Sequence, residues 1–217
     1  MDKMMTIDQA MEHINDGMTI MIGGFMGIGT PESLIDAMIE KGVKDLTIIA
    51  NDSGLPDRGI GRLIVNKQVK RIIASHIGLN PETGRQMNSG ELIVDLVPQG
   101  TLAEQIRAGG AGIGGFLTET GIGTEIEEGK QKIQVNDKTY LLELPLKADL
   151  ALIRASIIDK LGNVYYRGAT RNFNPLIATA ADLVIAAAEQ VVEVGGIDPS
   201  DVMTPGIFVD IIVEGEK

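Results

Sequence analysis

Two kinds of residue in this chain could do chemistry by their type and place. The first are glycines gathered where a backbone could meet an anion: Gly23, Gly24, Gly27 and Gly29, four within seven residues. Without a Cβ they reach φ > 0 and let a ligand approach the main chain closely. The second are neutral amides, Asn51 and Gln99, each one or two residues past an apolar run. Such amides can donate to a developing oxyanion without any pKa tuning. They can equally tie down their own turns.

The elements around the glycines suggest what they would hold. Asp16-Gly17 leads into Met18-Thr19-Ile20-Met21-Ile22, a short apolar run that suits a buried strand. Thr30-Pro31-Glu32 then reads as a helix start, with Thr30 as cap, Pro31 at the first helical position and Glu32 at the positive end of the dipole. Strand, glycine loop and helix N-terminus together can hold an anion such as the phosphates of a nucleotide-bearing ligand, through free backbone N–H groups. A tight turn with glycines present only for packing fits the same residues.

Further elements follow in order. Thr6 and Gln9 make a capping box for a short helix with Ile7, Ala10, Met11 and Ile14 on one face and His13 off it. Leu34, Ile35, Met38 and Ile39 form an amphipathic helix that Gly42 can end. Residues 46–50 read as the next strand, completing a βαβ unit. Residues 60–65 and 71–74 are short apolar segments, and residues 92–97 another strand. Thr101 and Glu104 suggest a second capping box, for a helix ending at Gly109-Gly110. Gly110-Ala111-Gly112-Ile113-Gly114-Gly115 matches G-x-G-x-x-G but follows a helix instead of a strand, so it is no dinucleotide fingerprint. Residues 109–123 read as one long glycine-rich loop, functional or at an interface. Residues 131–135 and 139–144 flank Asn136-Asp137 as a hairpin. Residues 150–155, 164–166, 183–187 and 207–213 read as later strands. The expected fold is α/β: a mostly parallel open sheet with helices on both faces and a small β-hairpin excursion, with residues 1–217 as one domain.

Composition narrows the function. The 217 residues are 44% hydrophobic but only 3% aromatic, so the core rests on aliphatic and methionine side chains. There is no cysteine, which removes disulfides, thiolate metal sites and a cysteine nucleophile. His13 and His76 are too few for a histidine metal site, and no metal is expected. A net charge of -11 argues against nucleic acid. The first residues lack a signal-peptide core, and no apolar run approaches the roughly 20 residues of a membrane span. A cytoplasmic location is the expectation.

The wider string from Asp16-Gly17 through Gly23-Gly24-Phe25 to Gly29 and Pro31 resembles the α-subunit signature of class I coenzyme A transferases. Asn51-Asp52-Ser53-Gly54, Val97-Pro98-Gln99-Gly100-Thr101-Leu102-Ala103-Glu104, Arg107-Ala108-Gly109-Gly110-Ala111-Gly112 and Arg171-Asn172-Phe173-Asn174-Pro175 resemble the same family in the same order. The likeness covers the whole chain and is nearest to the short-chain acetate/butyrate–acetoacetate enzymes. It implies transfer of CoA between an acyl-CoA and a free carboxylate, with CoA as substrate and no redox cofactor. Gly24, Phe25, Met26, Gly27, Ile28, Gly29 and Thr30 would hold CoA, and Asn51 and Gln99 would polarise the thioester carbonyl or orient the carboxylate. In the two-subunit members the nucleophilic glutamate lies in a Glu-Asn-Gly setting on the β subunit. No glutamate here has that setting. Glu32, Glu91, Glu104, Glu119 and Glu143 read as caps, solvated faces or strand edges. The resemblance therefore implies a β-subunit partner and an α2β2 or higher assembly. A sugar-phosphate isomerase of related fold, using Asp52 or Glu119, and a non-catalytic sensor of a phosphorylated ligand are the other readings. Arg171-Asn172-Phe173-Asn174-Pro175 reads as a carboxylate or partner anchor, or as a packed turn opening a helix at Asn174-Pro175. His76 reads as a structural histidine.

Overall fold

The structure is a computed structural model that describes residues 2–216. In chain order its strands are Thr19–Ile22 (β1), Leu46–Ile49 (β2), Val69–Ala74 (β3), Ile93–Leu96 (β4), Phe116–Thr118 (β5), Lys132–Val135 (β6), Lys138–Glu143 (β7), Ala148–Ala155 (β8), Ile157–Asp159 (β9), Val164–Tyr165 (β10), Ala181–Ala188 (β11), Val191–Val192 (β12) and Ile211–Glu214 (β13). The helices are Ile7–Met11 (α1), Glu32–Lys41 (α2), Ile60–Val65 (α3), Pro81–Ser89 (α4), Gln99–Gly110 (α5) and Asn174–Ile177 (α6).

The main sheet has seven strands in the order β13-β11-β8-β1-β2-β3-β4, and every neighbouring pair is parallel. Strands covered on both faces need apolar residues at their buried positions, and β1 and β2 meet that need, with Thr19 and Thr47 at the half-buried ones. Ile20, Ile48 and Ile72 turn to one face, under Ala10, Leu34 and Leu63 from α1, α2 and α3. Met21 and Ile49 turn to the other, under Leu102 and Ile106 of α5 and Ile177 of α6. Each fully buried side chain of this size contributes about 1.5–3 kcal/mol, so an Asp in place of Met21 would break the second layer. The chain runs outward from β1 through β4 on one side and continues with β8, β11 and β13 on the other. The order reverses between β1 and β8, which puts the ligand crevice outside their carboxyl ends. No helix among the described residues is long and apolar enough to cross a membrane.

Several local readings hold. Thr6 and Gln9 form the capping box, Gly42 ends α2 at φ 70, and Asn136 turns the β6–β7 hairpin at φ 53. Others need correction. Thr30 does not cap α2. The cap position is Pro31, with no side-chain bond, and the orphan amides of Glu32 and Ser33 donate to the carboxylate of Glu216 at 3.1 and 3.0 Å. Helix α5 begins at Gln99, two residues before Thr101, so Thr101 is interior and its Oγ1 is a buried atom with no hydrogen-bond partner among the described residues. Residues 109–123 are not one loop. Gly109 and Gly110 finish α5, and β5 adds a third strand to the hairpin, giving the order β5-β7-β6. Residues 207–213 begin as a 3-10 turn, Gly206–Phe208, and only then become β13. Helix α4 is an addition to the elements expected from the sequence: Asn80 caps it, Pro81 opens it and Gly90 closes it.

Candidate active site

The loop after β1 folds back on itself. Phe25 and Ile28 exchange backbone hydrogen bonds at 3.0 and 2.9 Å, closing a turn over Met26 and Gly27. Both have positive φ, 52° and 80°, the signature of a tight twisted turn. Methionine is strained there. Its amide is held by Asp52 Oδ2 at 2.8 Å, while Asp52 Oδ1 accepts from Gly54 N at 3.1 Å. Gly23 N donates to Leu152 O at 3.0 Å, and Gly24 N donates to Asn172 Oδ1 at 3.0 Å. The amides of Gly23, Gly24, Phe25, Met26 and Ile28 are thus spent inside the chain, and the positive end of α2 faces Glu216. The loop is not the cradle of free amides that its sequence suggests.

Its glycines serve close contact instead. A Cβ on Gly23 would lie 1.8 Å from Asn174 Oδ1, and one on Gly24 would lie 2.0 Å from Thr30 Oγ1. Asn172 Nδ2 donates to Ile28 O at 3.0 Å. Asn174 Nδ2 donates to Gly29 O at 2.9 Å, and its Oδ1 accepts from Arg154 N at 3.1 Å. These two asparagines strap the loop to the start of α6 and the turn before it. Of the two readings of residues 171–175, these bonds match a packed turn that opens a helix at Asn174-Pro175, and Asn172 also lines the cavity described below.

The carboxyl ends of β1, β2, β3 and β4 supply, in that order, the loop, Asn51, Ser75 and Gln99. Gln99 Nε2 donates to Asn51 Oδ1 at 2.6 Å. The expected pairing of two amides in one cleft is therefore present, with Gln99 fixed on the first turn of a helix. Ser75 Oγ touches both Gln99 Oε1 and Asn51 O. His76 is exposed and continues the β2–β3 pairing through its carbonyl.

Phe25, Ile28, Asn51, Gln99, Ala169 and Asn172 enclose a cavity of about 550 Å³. Phe25 and Ile28 are 44% and 52% exposed, an apolar wall open to solvent. Gly24, Met26, Gly27, Gly29 and Thr30 shape the loop without lining the cavity. No carboxylate among the described residues lines it. Glu91 pairs with Lys67, Glu104 with Arg107, Glu119 with Lys138 and Glu143 with Lys130. Glu32 bonds Gly59 N, and burial raises its pKa above the ordinary range. Among the described residues Arg58 and Arg171 are the arginines without a carboxylate partner. The other six are ion-paired. Arg58 lies along the loop, its Cδ 2.3 Å from where a Gly27 Cβ would be, and Arg171 precedes Asn172.

The coenzyme A transferase family model matches residues 4–215. The chain belongs to the coenzyme A transferase family. It is 59% identical to the acetate CoA-transferase subunit alpha of Escherichia coli K12, over 99% of this chain and 98% of that one. It is 53% identical to the acetoacetyl-CoA:acetate/butyrate CoA transferase alpha subunit of Clostridium acetobutylicum, over 98% and 97%. Among solved structures, an acyl-CoA transferase of E. coli O157:H7 in thioester complex with CoA superposes with a TM-score of 0.86 at 25% identity. It covers 99% of this chain, which spans 47% of that longer one. Glutaconate CoA-transferase of Acidaminococcus fermentans gives a TM-score of 0.87 at 20% identity, over 98% of this chain and 75% of that one, a likeness of fold. In this CoA transferase chain, the two amides and the apolar loop wall meet outside the carboxyl ends of β1 to β4, the end of a parallel sheet where ligands bind.

Proposed function

We propose that this chain is the α subunit of a two-subunit enzyme that moves CoA between a short-chain acyl-CoA and a free carboxylate: acetate, butyrate or acetoacetate. The observation that carries the reading is a cavity with amide donors and no carboxylate. The partner β subunit supplies a glutamate. Its carboxylate attacks the thioester carbonyl, giving an acyl-glutamyl anhydride and CoA thiolate. The thiolate then attacks the glutamyl carbonyl, giving a glutamyl-CoA thioester and releasing the first carboxylate. An incoming carboxylate runs the sequence in reverse. Asn51 and Gln99 serve the oxyanion or orient the carboxylate, and a fixed donor of this kind is worth about 10²–10³ in rate.

Residues 24–30 hold CoA, with Phe25 and Ile28 against its apolar arm and Arg58 and Arg171 as cations for its phosphates. The subunits pair again by symmetry into α2β2 or higher. The isomerase reading is weakened by its own candidates. Asp52 is committed to two backbone amides, and Glu119 pairs with Lys138 beside the separate hairpin sheet. The test is CoA exchange between acetyl-CoA and labelled acetate. Activity is expected only when the chain is co-expressed with its β subunit. Robust transfer by the chain alone would place the nucleophile here and overturn the division of labour.

A further inference from the structure

Ser75 has one proton and two acceptors within reach, Asn51 O at 2.8 Å and Gln99 Oε1. Which one takes it decides what the cavity wall presents. Asn51 O already receives the Ser75 backbone N–H at 3.1 Å, as an extension of the β2–β3 pairing. Gln99 Oε1 has no other donor among the described residues. With the hydroxyl proton on Gln99 Oε1, the Gln99 amide is turned so that Nε2 donates to Asn51 Oδ1 at 2.6 Å. Asn51 Nδ2 then has no partner among the described residues, and Asn51 lines the cavity. The opposite order would turn both amides around and present the carbonyl oxygen of Asn51, which repels an anion.

We infer that Ser75 is a positioning residue: its hydroxyl fixes the order Ser75 → Gln99 → Asn51, so that the site offers an N–H donor to the oxyanion or carboxylate of the transfer reaction. The catalytic consequence rests on the proposed CoA transfer; the order of donors does not. Removing the hydroxyl lets the amide pair turn. A freely turning pair alone would lose only about half of its correct population, whereas loss of the donor altogether would cost about 10²–10³. Loosening between these limits sets the expectation.

Two measurements decide the inference. In the assembled complex, Ser75→Ala is expected to lower kcat about tenfold with KM for both substrates nearly unchanged, and Ser75→Thr to restore most of it. An unchanged kcat, or a change confined to KM, overturns the inference. In the free chain, exchange of the ¹⁵N-labelled side-chain amides reads the order without any turnover. The Gln99 NH2 should exchange slowly and the Asn51 NH2 fast, and Ser75→Ala should make both fast. A protected Asn51 NH2 beside a fast Gln99 would mean the reverse order and sink the proposal. A wild-type complex with no transfer activity would reject the CoA-transfer reading, while the exchange pattern still decides the role of Ser75. Where Ser75→Ala does not fold, Ser75→Cys, with a weak donor, serves both measurements.

Discussion

Residues 23–29 and 109–123 are both rich in glycine, yet their glycines do different work. In the first stretch the neighbours press in. Thr30, Asn172, Asn174 and Arg58 all stand within 2.6 Å of where a Cβ would be. In the second the contacts are divided: Gly109, Gly110, Gly115 and Gly121 meet Leu146 O, Thr179, Glu143 O and Ile126 within 3.0 Å, whereas Gly112, Gly114 and Gly123 have no atom within 4 Å. The same composition therefore marks a strapped loop in one place and, in the other, packed glycines interleaved with open ones. In the first stretch every glycine has such a neighbour, and three of the neighbours are the side chains of Arg58, Asn172 and Asn174 from other parts of the chain.

That contrast can be broken by substitution. The largest effect is expected at Gly24→Ala, where φ is +124° and Thr30 Oγ1 is 2.0 Å from the new Cβ. A loss of about 3 kcal/mol in urea unfolding should accompany a fall of about a hundredfold in transfer rate, because the cavity wall shifts. Wild-type stability there would mean that the loop is as slack as residues 112–114. Next, Arg58→Gln should raise KM for acyl-CoA about fivefold, or ~1 kcal/mol, with kcat intact. The difference should shrink in high salt; a salt-independent KM would remove Arg58 from the phosphate role.

Glu32, at the foot of the first loop, gives a smaller signal that depends on pH. Burial raises its folded pKa above the ordinary value of a glutamate. The folded chain thus holds this proton more tightly than the unfolded one. Its contribution is fully present below the unfolded value and is lost as pH rises through the raised folded value. Glu32→Gln should flatten the dependence of Tm on pH in that window, and a slope equal to wild type would contradict the assignment. Smallest of all is Gly114→Ala, in open space and without a positive φ. It should change stability by less than about 0.5 kcal/mol, perceptibly upward if at all. A large loss would show that Gly114 is packed as Gly109 and Gly121 are.

Much of the fold could be read in the sequence because its signals are local. Alternation of aliphatics marks β1 and β2, Gly42 stops α2, and Asn136-Asp137 turns the hairpin. Asn51 and Gln99 could be placed together because each follows a strand at the same end of a parallel sheet. The rest depends on partners distant in sequence. Glu216 caps α2 from 184 residues away, and Asn172 reaches Gly24 across 148. Neither leaves a spacing to read. The loop amides looked free for the same reason: their acceptors, Leu152 O, Asp52 and Asn172, lie on other elements. Ser75 carried no motif, and it acquires meaning only when β3 lies between β2 and β4.

Glu216 has a practical consequence for anyone who wishes to tether this molecule. Its carboxylate is clamped on the first turn of α2, beside Pro31, and its side chain also faces Arg154 at 3.6 Å. Any peptide, tag or fused domain attached after it departs from the rim of the glycine loop, not from a distant corner. Tension on such a tether would be felt first at α2 and the loop. A short linker would pull on the site, and a long, slack one would leave it undisturbed.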